Sequence, residues 1–219
     1  MASSGLIDRW RAALTRAWRL RQLKDPAFRP LFDAPPPDEW VAIDCQTTGL
    51  DVRRDEIIAI DAVRIRGRRL LTSERLELLV RPEQALSPEL IRVHRLREQD
   101  VAAGLAPAEA ARRVLAFIGA RPLVGYYLEF DVAMLDRLVR PLIGVGLPQP
   151  RIEVSALYYR HKFRQLPPHA QQDNVGIDLR FASMMADLAL PWGGDAQAAP
   201  SEAVMAGLAF IKLRALAGE

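Results

Sequence analysis

The spacing of apolar residues predicts a helix at each end of the chain. Between Leu6 and Trp18, apolar side chains recur every three or four positions, which places them on one face of a helix. Ser4 is suited to cap the first turn, and Pro26 follows the expected end. Pro107 to Ile118 has the same period, and the last helix is expected from about Pro200 to Leu216.

From Trp40 onward the pattern changes to short runs that are typical of strands. Val41 to Asp44 is an apolar run that ends abruptly on a carboxylate. Ile57 to Ile65 and Leu70 to Val80 are rich in β-forming residues, and the turn across Arg66 to Arg69 indicates a hairpin. These runs predict three adjacent antiparallel strands.

The second half of the chain alternates between strand and helix patterns. We expect strands at Pro122 to Gly125 and at Ile152 to Val154, with a helix from about Phe130 to Val139 between them. Gly144 to Pro150 and Leu166 to Gly176 are expected loops. A hairpin followed by this alternation predicts an α/β fold, with a mixed five-stranded sheet flanked by helices and an N-terminal helical arm.

Composition narrows the class of protein. The 219 residues are 50% hydrophobic and 26% charged, which predicts a packed core and excludes a disordered chain. The single cysteine excludes a disulfide framework and a multi-cysteine zinc cage, and it fits a reducing cytoplasm. No apolar run approaches the roughly 20 residues that span a bilayer, and the first residues lack a signal-peptide pattern. We therefore expect a cytoplasmic protein without membrane contact.

The positive charge belongs to one part of the chain. The formal net charge is +3, but residues 1–33 hold seven Lys or Arg against three Asp, whereas residues 34–219 hold 23 basic and 24 acidic residues. We expect residues 1–33 to form a basic helical arm, 34–39 a proline-rich linker and 40–219 the main domain. The apolar face of the arm has three interpretations: packing on the main domain, a surface for a protein partner, or a phosphate-binding arm.

Three segments carry residues that are candidates for catalysis or metal binding. Asp44 ends an otherwise buried strand, where a carboxylate is costly unless it is paired or binds a metal, although an Asx-type turn is the simpler interpretation. Asp131 follows a strand, a glycine and two aromatics, and Glu202 opens the last helix after Gln197. Both acids are also explained by the favourable interaction of a carboxylate with the N-terminus of a helix.

Taken together, these segments resemble the DnaQ-like 3′–5′ exonucleases of the DEDDh type, the family of the proofreading epsilon subunit of bacterial DNA polymerase III. The resemblance covers roughly residues 40–216. It depends on segments 43–50, 57–63, 93–94, 123–131 and 201–210, whose order and spacing agree with the family. It implies a ribonuclease H-like fold and the hydrolysis of phosphodiester bonds in nucleic acid.

The resemblance also implies roles for individual residues. In the family, four carboxylates hold two Mg²⁺ or Mn²⁺ ions and a histidine accepts the proton of the attacking water. By position, Asp44, Asp131 and Glu202 correspond to metal ligands, and Gln46 and Gln197 fall at two further catalytic positions. The residues implied to contact the 3′ end of single-stranded DNA or RNA are Thr47, Thr48, Gly49, Leu50, His94 and Tyr126.

Several of these positions depart from the family pattern. Gln46 replaces a glutamate, Gln197 replaces the histidine and Glu202 replaces an aspartate, while Tyr126 and Tyr127 replace a His-Asn pair. An amide removes one negative charge at position 46, and loss of a general base costs typically 10²–10⁴-fold in rate.

Two functions follow from these departures. One is a weakened 3′–5′ exonuclease; the other is an inactive pseudo-exonuclease that binds nucleic acid or a protein partner. Asp61 is either a replacement carboxylate or a solvated strand residue. His169 is either a surface residue or a substitute base, and Cys45 is either a core residue or a redox switch.

Overall fold

The computed structural model describes residues 3–83, 98–171, 176–192 and 201–218. The strands of these residues are β1 Glu39–Thr47, β2 Ile57–Arg66, β3 Arg69–Leu79, β4 Leu123–Gly125 and β5 Arg151–Glu153. The helices are α1 Ser3–Gln22, α2 Glu98–Ala102, α3 Pro107–Ile118, α4 Leu128–Ile143, α5 Val154–Gln165, α6 Phe181–Asp187 and α7 Glu202–Ala217. Short 3₁₀ helices span Pro26–Phe32 and Pro168–Ala170.

The five strands form one mixed sheet in the order β3-β2-β1-β4-β5. β1 pairs antiparallel with β2 and β2 with β3, whereas β4 runs parallel to both β1 and β5. The prediction of an α/β fold with a mixed five-stranded sheet is confirmed, as is the antiparallel hairpin.

β1 differs from its prediction. The strand does not end at Asp44 but continues to Thr47, which pairs with Ile57 beyond an irregularity in the register. The polar side chains of Gln46 and Thr47 concealed this extension, because their backbone pairs with β2 whatever the side chain. Asp44 and Gln46 therefore lie within a strand and, being two residues apart, share one face of the sheet.

The two faces of the sheet have separate cores. Val41 and Ile43 contribute to the core beneath α3 and α4, whereas Ala42 and Val63 contribute to the core that includes α7. Because side chains alternate along a strand, Asp44 continues the second face, on the side of α7.

α7 lies very close to the sheet at Gly207. A Cβ atom there would meet Leu70 Cδ1 at 2.6 Å and Ala42 Cβ at 3.2 Å. This approach fixes the first residue of α7, Glu202, at the edge of the same sheet face as Asp44.

α4 and β5 also differ from their predictions. α4 spans Leu128–Ile143 rather than 130–139, since Pro141 is accommodated in its last turn and Gly144 ends it at φ +82°. β5 begins one residue earlier than expected, at Arg151.

The N-terminal arm contacts the main domain through its C-terminal part. The N–H of Lys24 donates a 3.0 Å hydrogen bond to the carbonyl oxygen of Ile143, and Leu20 packs against the core. Within the arm, Arg16 Nε donates a 2.6 Å hydrogen bond to the carbonyl oxygen of Phe32. Leu14 and Trp18, from the predicted apolar face, are 66% and 58% exposed. None of the helices in the described ranges is long and apolar enough to cross a bilayer.

Candidate active site

Asp44 and Gln46 lie on the floor of a cleft of about 660 Å³. Gln46 Nε2 donates a hydrogen bond of 2.9 Å to Asp44 Oδ2. Glu202 and Trp192 line the same cleft, so α7 and the residues after α6 form its other wall.

Asp131 does not line this cleft but lies within electrostatic reach of both Asp44 and Glu202. It lies in the first turn of α4, is 4% exposed, and its Oδ1 accepts a hydrogen bond of 3.1 Å from the backbone N–H of Cys45. Burial, and then the negative charge of Asp44, raise the pKa of Asp131 from 3.8 to about 8, although the Cys45 N–H opposes the shift. Asp131 is therefore tied to β1 at the residue between Asp44 and Gln46.

Glu202 is the third acid of this group. Ser201 caps α7 by accepting a hydrogen bond of 3.3 Å from the N–H of Val204, which places Glu202 in the first turn. Surrounding protein atoms, and then the charge of Asp44 and a hydrogen bond with it, raise the pKa of Glu202 to about 7. Glu202 is nevertheless accessible to solvent, and it lines the cleft.

Asp44, Asp131 and Glu202 thus bring three carboxylates from β1, α4 and α7 into one electrostatic group. The charge of Asp44 raises the pKa of both Asp131 and Glu202, and the charge of Glu202 also raises the pKa of Asp131, so a cation between them would relieve the repulsion. Among the described residues, no three Asp, Glu, His or Cys side chains are arranged to hold a metal ion by themselves. The donor set still fits Mg²⁺ or Mn²⁺, because Mg²⁺ usually binds one or two carboxylates and completes its shell with water and substrate phosphates.

Asp61 lies beside this group but has a different partner. The register of β1 and β2 places Asp61 directly opposite Asp44. Asp61 accepts two hydrogen bonds of 2.9 Å from Arg75, which also contacts Glu77 at 2.7 Å. Asp61 is therefore an ion-paired residue at the cleft wall rather than a solvated one, and it shares the charge of Arg75 with Glu77.

The predicted nucleotide pocket at 47–50 is a tightly bonded turn. Thr47 Oγ1 donates to the carbonyl oxygen of Gly49 at 2.7 Å, and the N–H of Thr48 donates to the carbonyl oxygen of Glu56 at 2.9 Å. These two threonines therefore hold the loop in shape. Leu50 is 85% exposed, which leaves it accessible to a ligand.

Tyr126 occupies a different kind of position from the one expected of a substrate contact. Its hydroxyl donates to the carbonyl oxygen of Leu179 at 3.0 Å, and its ring packs 4.8 Å from that of Phe181. Burial, with the neighbouring Tyr127, raises its pKa to about 12. Tyr127, in contrast, is 71% exposed.

Glu153 is a residue that the sequence pattern did not single out. Its Oε2 accepts a hydrogen bond of 2.9 Å from the N–H of Leu128, and its Oε1 accepts one from Ser155. It thereby holds the first turn of α4 and also raises the pKa of Asp131. A lone acid at the end of a three-residue strand gives no sequence signal for this role.

Of the four remaining predicted residues, two lie outside the described part of the chain and two lie within it. His94 and Gln197 lie outside the described residues. His169 lies exposed in the 3₁₀ helix Pro168–Ala170. Cys45 is 8% exposed, and burial, together with the charges of Asp131 and Asp44, raises its thiol pKa well above the usual value.

The chain matches a known protein family over more than half of its length. Residues 41–165 match the model of the RNase_T family, described as Exonuclease. The "DNA polymerase III subunit epsilon-like protein" of Rhodobacter capsulatus is 34% identical over 119 residues, which are 54% of this chain and 17% of that protein. The DNA polymerase III subunit epsilon of Aquifex aeolicus is 24% identical over 52% of this chain and 55% of its own length. The chain therefore spans only part of each of these relatives.

Solved structures share the fold. Exonuclease I of E. coli, in complex with a dA16 oligonucleotide, has a TM-score of 0.61 and 15% identity over 80% of this chain and 40% of that chain. Exonuclease I from Methylocaldum szegediense has a TM-score of 0.61 and 17% identity over 81% of this chain and 40% of that chain. The ribonuclease H-like fold expected from the sequence is confirmed.

Proposed function

Because the chain belongs to the exonuclease family that its residues 41–165 match, we propose that it is a metal-dependent 3′–5′ exonuclease of single-stranded DNA or RNA. The observation that supports this most is the electrostatic contact among three acids from separate elements: Asp44 and Glu202 line one cleft, and their charges both raise the pKa of Asp131. Such a concentration of carboxylates disfavours the folded state unless a cation or protons compensate it.

In this proposal, Asp44, Asp131 and Glu202 hold Mg²⁺ or Mn²⁺ with their carboxylate oxygens. When bound, these ions would neutralise charge on the attacking and leaving oxygens of the phosphodiester. The N–H of Cys45 orients Asp131, and the cap on α7 orients Glu202. The exposed Leu50 contacts the 3′-terminal nucleotide, held by the turn that Thr47, Thr48 and Gly49 form.

A second function is supported by the contact between Gln46 and Asp44. The amide of Gln46 donates a hydrogen bond to one oxygen of the Asp44 carboxylate, and it supplies no negative charge of its own for a cation. This contact favours an inactive pseudo-exonuclease that binds nucleic acid. The exposed Leu14 and Trp18 of α1 support a protein partner for the arm in either case.

One assay separates these two functions. A 5′-labelled single-stranded oligonucleotide is incubated with the full chain in Mg²⁺, in Mn²⁺ and in EDTA, alongside Asp44→Ala. We expect slow stepwise shortening with either metal and none in EDTA or with Asp44→Ala. Binding of the oligonucleotide without shortening in any condition would instead support the pseudo-exonuclease.

A further inference from the structure

A row of aromatic side chains connects the start of α4 to the cleft. The ring of Tyr127 lies 4.6 Å from that of Tyr126, which lies 4.8 Å from Phe181. Phe181 in turn lies 4.7 Å from Trp192, which lines the cleft together with Asp44 and Glu202. The row thus passes from an exposed ring to the candidate active site without a gap.

The middle of this row is fixed and its outer end is accessible. Phe181 is 8% exposed, and Tyr126 is anchored by its hydrogen bond to Leu179. Tyr127 is 71% exposed, although its ring rests edge-on against Tyr126. Most of Tyr127 is therefore accessible to solvent, and its contact with the anchored Tyr126 ring supports it.

The backbone of Tyr127 is unfavourable for its residue type. It has φ 52° and ψ 32°, the left-handed region that glycine and asparagine adopt far more readily than bulky residues. An exposed ring returns little burial energy for this strain, so folding alone does not explain a tyrosine at this position. Strained residues of this kind cluster at ligand-binding sites.

We propose that Tyr127 stacks on a base of a single-stranded nucleic acid whose 3′ end lies in the cleft, and that Trp192 makes a second contact within the cleft. Aromatic faces bind bases of any sequence, and only an unpaired strand leaves a base free to leave its own stack. Tyr127 immediately precedes the helix that carries Asp131, so the stacked base and the bond to be cut belong to the same end of the strand.

The charge of the cleft supports this occupant. Asp44 and Glu202 repel phosphates until cations are bound, so the strand needs a source of affinity that does not depend on charge. Stacking on the aromatic row supplies it. This inference rests on the proposed function, since it assumes that a nucleic-acid strand enters the cleft.

The test measures the binding of a 5′-fluorescein-labelled thymidine oligonucleotide by fluorescence anisotropy, in EDTA so that no cleavage occurs. We expect Tyr127→Ala to weaken binding by roughly 5- to 100-fold, the range for one base stack, and Tyr127→Phe to restore it. Leu216→Ala is the control: it removes an exposed apolar side chain at the far end of α7, and its binding should equal that of the wild type.

Tyr127→Gly separates binding from folding. Glycine relieves the backbone strain, so the thermal midpoint should stay equal or rise while oligonucleotide binding weakens. A purely structural tyrosine would give the opposite, a lower midpoint with unchanged binding. An oligonucleotide with abasic sites near its 3′ end should bind the wild type and Tyr127→Ala equally.

The outcomes distinguish this inference from the proposed function. If the wild type binds and shortens the oligonucleotide but Tyr127→Ala and Tyr127→Gly bind it equally well, the stacking role is wrong and the exonuclease stands. The stacking role would also be wrong if Tyr127→Ala weakened the binding of a blunt duplex as much as that of the single strand. If the wild type neither binds nor shortens the oligonucleotide, the proposed function itself fails.

Discussion

The side-chain amide of Gln46 donates a 2.9 Å hydrogen bond to Oδ2 of Asp44. The contact joins two residues on the same face of β1, where the family resemblance implies two carboxylates. One oxygen of Asp44 thus accepts a bond from a neutral group, and because residue 46 is an amide, the cleft presents one negative charge fewer to a cation than the family pattern implies.

Restoring a carboxylate at this position should increase activity. Gln46→Glu replaces the N–H donor with a charged oxygen beside Asp44, and we expect the shortening of a single-stranded oligonucleotide to accelerate by roughly 10- to 100-fold, since loss of a group that supports a metal site typically costs about that much. The rate is measured in Mn²⁺ with 5′-labelled oligonucleotide. Gln165→Glu, an equal change of charge on the exposed side of α5, is the matched control and should have no effect.

Asp131 should make the metal-free protein less stable as the pH rises. Its pKa is about 8 in the folded state against an ordinary 3.8, so the folded state retains a proton that the unfolded state has lost. The contribution of Asp131 to the free energy of unfolding is therefore largest below about pH 4 and decreases until the pH passes about 8. In EDTA, we expect the thermal midpoint to fall by at least about 5 °C between pH 5 and pH 8.5.

Asp131→Asn tests the origin of this decrease. The asparagine oxygen can still accept the hydrogen bond from Cys45, but it carries no titrating proton. The thermal midpoint of this variant should fall clearly less than that of the wild type over the same pH range. The decrease that remains is attributed to Glu202, whose pKa is also raised. An equal fall in wild type and variant would show that Asp131 ionises normally.

A divalent cation should bind more tightly at higher pH. Below about pH 7, a cation must displace protons from Asp131 and Glu202, whereas at pH 8.5 fewer remain. We expect Mg²⁺ or Mn²⁺ to raise the thermal midpoint more at pH 8.5 than at pH 6, and Asp44→Ala to abolish the rise.

Two controls show whether the rise in thermal midpoint comes from a divalent cation bound at Asp44. NaCl at matched ionic strength should not reproduce the rise in midpoint. Glu109→Gln removes a carboxylate that is 47% exposed on α3, and it should leave the metal response intact. A rise that survives Asp44→Ala would place the cation elsewhere.

Gly207 should be intolerant of larger residues. Gly207→Val places atoms where Leu70 and Ala42 already lie, at 2.6 Å and 3.2 Å from the first added carbon. Overpacking of this kind typically costs about 1–3 kcal/mol of unfolding free energy, and lifting α7 also moves Glu202 away from Asp44. Chemical denaturation and the nuclease assay both measure it. Gly176→Val is the control and should unfold like the wild type, since no atom of the described residues lies within 4 Å of the added Cβ.

The sequence predicted the sheet because its strands have strong local patterns. Apolar runs and the turn at Arg66 to Arg69 identify the hairpin, and Gly125 and Asp131 mark the next strand and helix. The end of β1 was wrong, because Gln46 and Thr47 are polar and their pairing with β2 is decided by the partner strand. The start of α4 was wrong by two residues, because Tyr127 adopts a left-handed conformation that no pattern indicates.

Only those residues of the candidate site that lie in recognisable sequence motifs could be predicted from the sequence. Asp44, Asp131 and Glu202 fall in recognisable segments, and the structure brings them together. Asp61 could not be assigned from sequence, since its ion pair with Arg75 depends on the register between β2 and β3. Glu153, Tyr127 and Trp192 gain their positions from tertiary contacts. The predicted roles of His94 and Gln197 stay predictions, as do the bounds of the arm, linker and main domain.

Cys45 gives this protein a natural reporter of its own opening. It is the one cysteine of the sequence, its side chain belongs to the core beneath α4, and its backbone N–H holds Asp131. A thiol reagent can reach it only when β1 and α4 separate, and the raised pKa keeps it unreactive until then. The rate at which a thiol reagent labels Cys45 therefore measures local opening between β1 and α4 at the candidate active site, without an engineered probe.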